Sequence, residues 1–263
     1  MPLSDVRPRA RGDLMTVPGT RTRWLRGVRS PGARLRLVCF PHAGGAAGFF
    51  HDWAALTPPW LEVLSVQYPG RQDRLDDPCP ATLEELAGAV AEALLQEASD
   101  GLPTALFGHS MGTAVAYEVA GRLEDAGAAP VRLVVSGRGR PRGPHELAAR
   151  PAPDDDEILR RVRALDPAGA AVYDHPELRP VIMPALRADF RMLAAHHPAP
   201  LRRLDVPVTA CGGDRDPVCP VADLSSWSDV TARDVEVRAF EGGHFYLTPR
   251  KREVLALLAE RLA

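Results

Sequence analysis

The chain has 263 residues, 45% of them hydrophobic and 25% charged, with a formal net charge of −2. That length suits one large domain with a substantial core, and the near-balanced charge excludes the bulk attraction to nucleic acid or an anionic membrane surface that a basic chain would have. No apolar run approaches the ~18 residues of a bilayer-spanning helix, and the four scattered cysteines (Cys39, Cys79, Cys211, Cys219) contain no Cys-x-x-Cys pair, which points to a reducing, cytoplasmic setting.

Residues 1–21 carry Arg7, Arg9 and Arg11 with no apolar stretch behind them, so they read as a flexible tail and not as a secretory signal, leaving 22–263 as the domain. A first strand falls at 35–40. A glycine-rich loop, Pro41 to Gly48, follows it, then an aromatic helix start at Phe49, Phe50 and Trp53. A strand at 62–67 precedes a helix at 82–98, which a Thr82-x-x-Glu85 capping box opens. A strand at 104–108 runs into a helix at 111–126, and a further strand covers 131–136. Later come strands at 206–211 and 235–240 and a final helix at 249–262 with Pro249 in its first turn. Strand–helix alternation of this kind predicts an α/β fold with a mostly parallel central sheet. Between Ser136 and Val206 the alternation stops. A Pro/Gly/Arg stretch from Gly137 to Pro153 gives way to a helix opened by Asp154-x-x-Glu157, then to a helical pattern from Glu177 to His197 in which Pro180 and Pro184 predict kinks. About seventy residues without a strand are too many for a loop, so a helical lid inserted at about 137–203 is predicted. Asp154-Asp155-Asp156 reads as its charged helix start, not as a metal site.

The chemistry is concentrated at Gly108-His109-Ser110-Met111-Gly112, a Gly-x-Ser-x-Gly sequence between a predicted strand and a predicted helix. That context is a nucleophile elbow, which exposes a serine hydroxyl on a strained turn. A serine nucleophile needs a base, an acid to orient the base, and donors for the developing oxyanion. His244 is the candidate base: alone among eight histidines it follows a late strand behind paired glycines. Of the others, His51, His145 and His175 lie in polar or proline-broken stretches, His196 and His197 end a helix, and His109 should point away from the nucleophile. The candidate acid is Asp216, before Pro217, with Asp214 two residues earlier as the alternative. The oxyanion donors should be the backbone amides of Met111 and of Ala43, with Gly44 as second choice for the latter.

Taken in order, Phe40-Pro41-His42-Ala43-Gly44-Gly45, Tyr68-Pro69-Gly70-Arg71-Gln72-Asp73-Arg74, the elbow, Leu186-Arg187-Ala188-Asp189-Phe190, Gly213-Asp214-Arg215-Asp216-Pro217 and Gly242-Gly243-His244-Phe245-Tyr246-Leu247 resemble a type II, or editing, thioesterase of a polyketide or nonribosomal peptide synthase. The resemblance covers roughly residues 22–263. It implies an α/β-hydrolase fold with a lid, a Ser110–His244–Asp216 triad, no cofactor and no metal, and a monomer whose partner is an acyl or peptidyl carrier protein. The substrate it implies is an acyl group held as a thioester on the carrier's phosphopantetheine arm. Carrier proteins are acidic, so Arg138, Arg140 and Arg142, near the expected entrance, become candidates for phosphate or carrier contact; solvated loop arginines are the plainer reading of the same residues. Phe190, with Met183, Met192 and Ile182, is a candidate for lining an acyl pocket, against ordinary helix packing. A small-ester hydrolase without a carrier partner, and a non-catalytic binding protein of the same fold, are the alternatives.

Overall fold

In the run Leu35–Phe40 all six residues are buried, as expected where helices cover both faces of a parallel sheet. A computed structural model describes residues 22–98, 101–143, 152–198 and 200–263; the expected tail at 1–21 lies outside the described residues, as does His145. Seven strands form one sheet: β1 (Leu25–Arg26), β2 (Leu35–Phe40), β3 (Leu61–Val66), β4 (Thr104–His109), β5 (Arg132–Ser136), β6 (Val208–Gly213) and β7 (Val235–Phe240). Their spatial order is β1-β3-β2-β4-β5-β6-β7. All neighbours are parallel except the β1–β3 pair. The six predicted strands are present, within about two residues. The predicted strand at 206–211 starts later, at Val208, because Pro207 has no amide to give to a ladder.

Period-two alternation sorts the strand residues between two cores. Val38 and Phe40 of β2 pack with Leu106 of β4 under α2 (Leu83–Glu97) and α3 (Met111–Asp125). Leu37, Cys39 and Phe107 face the other way, onto Phe50, the short helix α1 (Trp53–Leu56) and the C-terminal helix α7 (Lys251–Leu262). Full burial of one such side chain contributes roughly 1.5–3 kcal/mol, so the sheet is held by both layers. Thr82 caps α2 by accepting from the amide of Glu85 at 3.1 Å. Arg250, not Pro249, is the cap of α7, and the proline lies ahead of the helix.

Between β5 and β6 the described residues contain α4 (Asp155–Leu165), α5 (Pro167–Ala170) and α6 (Arg179–Ala195), and no strand. The Asp154 side chain caps α4, accepting from the Glu157 amide at 2.9 Å. Pro180 occupies the first turn of α6, and the helix runs on through Pro184. These helices, with Tyr173 from the short 3-10 turn Ala171–Asp174, carry an apolar cluster of Ile158, Leu159, Tyr173, Met183 and Leu186, against which Ala43 packs.

The fold constrains the elbow most tightly at Gly112, where a Cβ would fall 2.0 Å from the carbonyl oxygen of Phe40 and 2.5 Å from its carbon. Gly112→Ala is therefore expected to cost roughly 3 kcal/mol or more in urea unfolding. Gly88→Ala, on α2 with its nearest neighbour atom at 4.0 Å, should be neutral or stabilising by up to ~1 kcal/mol. Equal effects of the two changes would contradict the packing argument.

Candidate active site

The C-terminal ends of the parallel strands converge on one place, as in other open α/β sheets. Ser110 follows β4, Asp216 follows β6 and His244 follows β7, while Ala43 follows β2 and Arg138 follows β5. Ser110 has φ 55° and ψ −114°, a positive-φ conformation that a non-glycine residue adopts only when its surroundings impose it. Here they do. The Ser110 amide donates to the Ser136 carbonyl on the neighbouring strand at 2.8 Å. The Thr113 hydroxyl donates to the Gly108 carbonyl at 2.7 Å. A Cβ at Gly108 would fall 2.4 Å from the Gly112 carbonyl oxygen, so the turn can close only with glycine at 108.

His244 and Asp216 are both buried, and Nδ1 of the histidine lies 2.7 Å from Oδ2 of the aspartate. The other Asp216 oxygen accepts from the amides of Val218 at 2.9 Å and Cys219 at 3.2 Å, which fixes the carboxylate's orientation. Asp214 is engaged elsewhere: it accepts from the Gly242 amide at 2.8 Å and thereby shapes the turn that delivers His244. With Nδ1 committed to the carboxylate, Nε2 of His244 is the nitrogen left for proton transfer. It is buried and makes no hydrogen bond among the described residues.

Gly44 and Ala43 part company. The Gly44 amide donates to Oδ2 of Asp189 at 2.8 Å, so it is already occupied. Asp189, buried on α6, also receives a bidentate pair from Arg71, with Nη1–Oδ2 at 2.6 Å and Nη2–Oδ1 at 2.8 Å. Arg71 continues to the carbonyls of Gly45 at 3.1 Å and Pro69 at 3.1 Å. Burial works against the Arg71 charge, but the Asp189 carboxylate outweighs it and the guanidinium pKa is raised. The amides of Ala43 and Met111 donate to no group among the described residues.

His109, the residue before the elbow serine, packs among the other histidines. Its ring lies 5.0 Å from that of His244, and His42 lies 6.0 Å from His109. Nδ1 of His109 is 2.9 Å from the Ser136 hydroxyl, which pairs in turn with Tyr246. Burial, reinforced by the charges of His244 and Arg71, lowers His42 to about 3. Burial, then His244 and His42, pushes His109 well below the usual imidazole range. Both neighbours thus stay neutral beside the one histidine that has a carboxylate. Gly137, with φ +64°, sits against both rings: a Cβ there would lie 3.1 Å from Cε1 of His109 and of His244. His196 caps the C-terminal end of α6. It is buried between Glu84, at 2.9 Å, and Glu118, at 3.5 Å. His51 and His175 are exposed.

Two cavities meet at Ser110. One, of about 720 Å³, is walled mainly by apolar groups, among them Ala43, Val162, Leu165, Tyr173, Phe190 and Phe245, and His244 opens onto it. The other, of about 610 Å³, is a groove that carries Arg138, Arg140 and Arg142. Phe190 thus lines the apolar cavity, whereas Met183 and Met192 are buried in packing, and Ile182 joins the helical cluster. Among the described residues no group of three or more His, Cys, Asp or Glu is arranged to hold a metal, and no helix is long and apolar enough to cross a membrane. The Arg71–Asp189 pair, the histidine cluster and Gly137 were not singled out as site residues from the sequence. Arg71 and Asp189 sit within conspicuous motifs, but nothing local connects residues 118 positions apart.

Comparison with known proteins adds an independent line. A family model described as a thioesterase domain matches residues 35–262. The chain is 42% identical over 250 residues to a probable cadicidin biosynthesis thioesterase of Streptomyces griseus, covering 94% of this chain and 68% of that one. It is 38% identical over 246 residues to the thioesterase PikA5 of Streptomyces venezuelae, covering 91% and 85% respectively. Among solved structures it is similar to the type II thioesterase BorB from the borrelidin biosynthetic cluster, with a TM-score of 0.80 at 36% identity over 92% of this chain and 98% of that one.

Two measurements check the site's geometry. Asp216→Asn should lower kcat by about 10²–10⁴-fold through loss of the oriented His244 tautomer, while Asp214→Asn acts chiefly on stability; the reverse ranking would move the acid's role to Asp214. The second concerns pH. With His42 at about 3 when folded and near 6.5 when unfolded, the unfolded chain holds the extra proton between those values. Stability should therefore fall as pH drops from 6.5 toward 3. His42→Gln should flatten that decline in urea midpoints; an unchanged slope would show that His42 does not carry it.

Proposed function

The chain belongs to the thioesterase domain family, among the type II thioesterases of the α/β-hydrolase superfamily, and from that premise we propose the mechanism by which its own residues cleave acyl thioesters. Ser110 is the nucleophile, His244 the general base, Asp216 the residue that orients the base, and the amides of Met111 and Ala43 the oxyanion hole. Nε2 of His244 accepts the Ser110 proton as Oγ attacks the thioester carbonyl. The tetrahedral oxyanion is held by the two backbone N–H groups, one of them at the positive end of α3. Collapse of the intermediate breaks the C–S bond, and His244 returns the proton to the departing thiolate. Water then repeats the sequence against the acyl-serine, releasing a carboxylic acid and the free serine.

The observation that carries this reading is the junction of an apolar chamber and an arginine-lined groove at Ser110. A thioester on a pantetheine arm has that division of polarity on the two sides of its reacting carbon. The acyl chain fits the chamber beside Phe190, and the arm fits the groove. The acidic carrier protein then docks at the groove's mouth, where Arg142 is exposed; interface charges of this kind set encounter and orientation more than affinity. The role is editing: hydrolysis of acyl groups from carrier proteins in polyketide or nonribosomal peptide biosynthesis. The four free cysteines fit a cytoplasmic site of action.

Three substrates test the proposal: an acyl-carrier protein, the same acyl group on pantetheine, and a simple ester of the same acid. The order of kcat/KM should be carrier, then pantetheine, then ester, because binding energy remote from the carbonyl is available only to the first two. Ser110→Ala should fold normally and lose at least ~10⁴-fold in turnover on all three, along with fluorophosphonate labelling. Retention of a tenth of the activity would remove Ser110 from the mechanism. Equal rates on all three substrates would favour a small-ester hydrolase.

A further inference from the structure

Four arginines line the two cavities that meet at Ser110, and they are not equivalent. Arg161 is paired with Glu157 at 2.6 Å. Arg140 is paired with Asp229 at 2.9 Å and reaches the Pro141 carbonyl at 2.8 Å. Arg142 lines only the groove and is exposed. Arg138 lines both cavities and is partly buried, and its guanidinium has no ion pair or hydrogen bond among the described residues. Its backbone is held firmly, since the Arg138 carbonyl accepts from the Trp227 indole at 2.9 Å. At the preceding residue, Gly137, a Cβ would fall 3.1 Å from Cε1 of His244. Burial disfavours the Arg138 cation and lowers its pKa, with Cys219 opposing that shift and Arg142 adding to it. A half-buried guanidinium with no carboxylate partner among the described residues is placed to take an incoming anion.

Resting on the thioesterase reading above, we infer that Arg138 is an anion-binding residue of the substrate site, taking an oxyanion carried by the thioester itself. The planar guanidinium suits the two sources that such a substrate offers, a carboxylate on the acyl group and the phosphate of the pantetheine arm. Its place at the junction of the acyl chamber and the groove leaves it open to either. The neighbouring arginines act differently: Arg140 and Arg161 already have carboxylates, and Arg142 faces solvent.

Binding, read by calorimetry, tests this without depending on turnover. The Ser110→Ala protein, with and without Arg138→Met, is titrated with acetyl-pantetheine, acetyl-phosphopantetheine and malonyl-pantetheine. With Arg138 present, at least one anionic ligand should bind about ten- to a hundred-fold more tightly than acetyl-pantetheine, as a charge-assisted hydrogen-bond pair provides. Which ligand gains identifies the source of the oxyanion. Arg138→Met should abolish that advantage and leave acetyl-pantetheine within about twofold. The inference is overturned if neither anionic ligand gains, if the gain survives Arg138→Met, or if all three ligands weaken alike. Failure of the thioesterase reading would appear separately, as absence of acetyl-pantetheine turnover by the unsubstituted protein.

Discussion

The buried bidentate ion pair between Arg71 and Asp189 joins three segments that lie far apart in the chain. Arg71 follows β3, Asp189 belongs to α6 of the helical insertion, and both hold the loop after β2 through the Gly45 carbonyl and the Gly44 amide. With the Gly44 amide turned toward Asp189, the adjacent Ala43 amide is the one left unoccupied at the cavity wall. The position of the proposed oxyanion hole is thus set by a charge pair on the far side of the loop. The same pair tethers the insertion to the sheet domain, so the roof of the acyl chamber and the loop at its base are positioned together. A buried pair of this kind is weak evidence for stability. Its value here is geometric, because an oxyanion hole works only if its donors are in place before charge develops.

A second constraint is electrostatic. Three imidazoles, His42, His109 and His244, lie in one cluster, but their surroundings differ. Burial holds His42 and His109 below the usual imidazole range, while only His244 has a carboxylate against Nδ1. Environments that differ between chemically identical groups are how a site assigns roles to them. Gly137 matters for the same reason: it leaves room for two rings where any side chain would displace one of them.

Much of this was legible along the sequence because it is local. The parallel sheet follows from apolar runs separated by helical periodicity, and the elbow from five residues between a strand and a helix. The different partners of Asp216 and Asp214 are visible only in three dimensions, since both aspartates sit in one turn and differ in what that turn presents to them. β1 escaped notice because two residues, Leu25 and Arg26, carry no periodicity. The packing of His109 against His244 is not legible in the elbow, which fixes where Ser110 points but not how the preceding ring packs. Segments such as Leu186–Phe190 stood out as family motifs, yet their function lies in contacts with residues more than a hundred positions away. The three arginines after β5 look alike in sequence; in the fold, Arg140 meets Asp229 and Arg138 does not.

A double-mutant cycle across Arg71 and Asp189 tests most directly whether that pair acts on the loop's geometry. Arg71→Met or Asp189→Leu alone strands a buried charge and should cost about 3–5 kcal/mol in unfolding free energy, whereas the two together should restore most of that stability. On this account, kcat/KM for an acyl-pantetheine does not return with the stability, because the Gly44 amide has lost its acceptor and the Ala43 amide its fixed direction. A stable double variant with wild-type kcat/KM would contradict it, and would make the pair a fastening of the fold with no part in positioning the oxyanion hole.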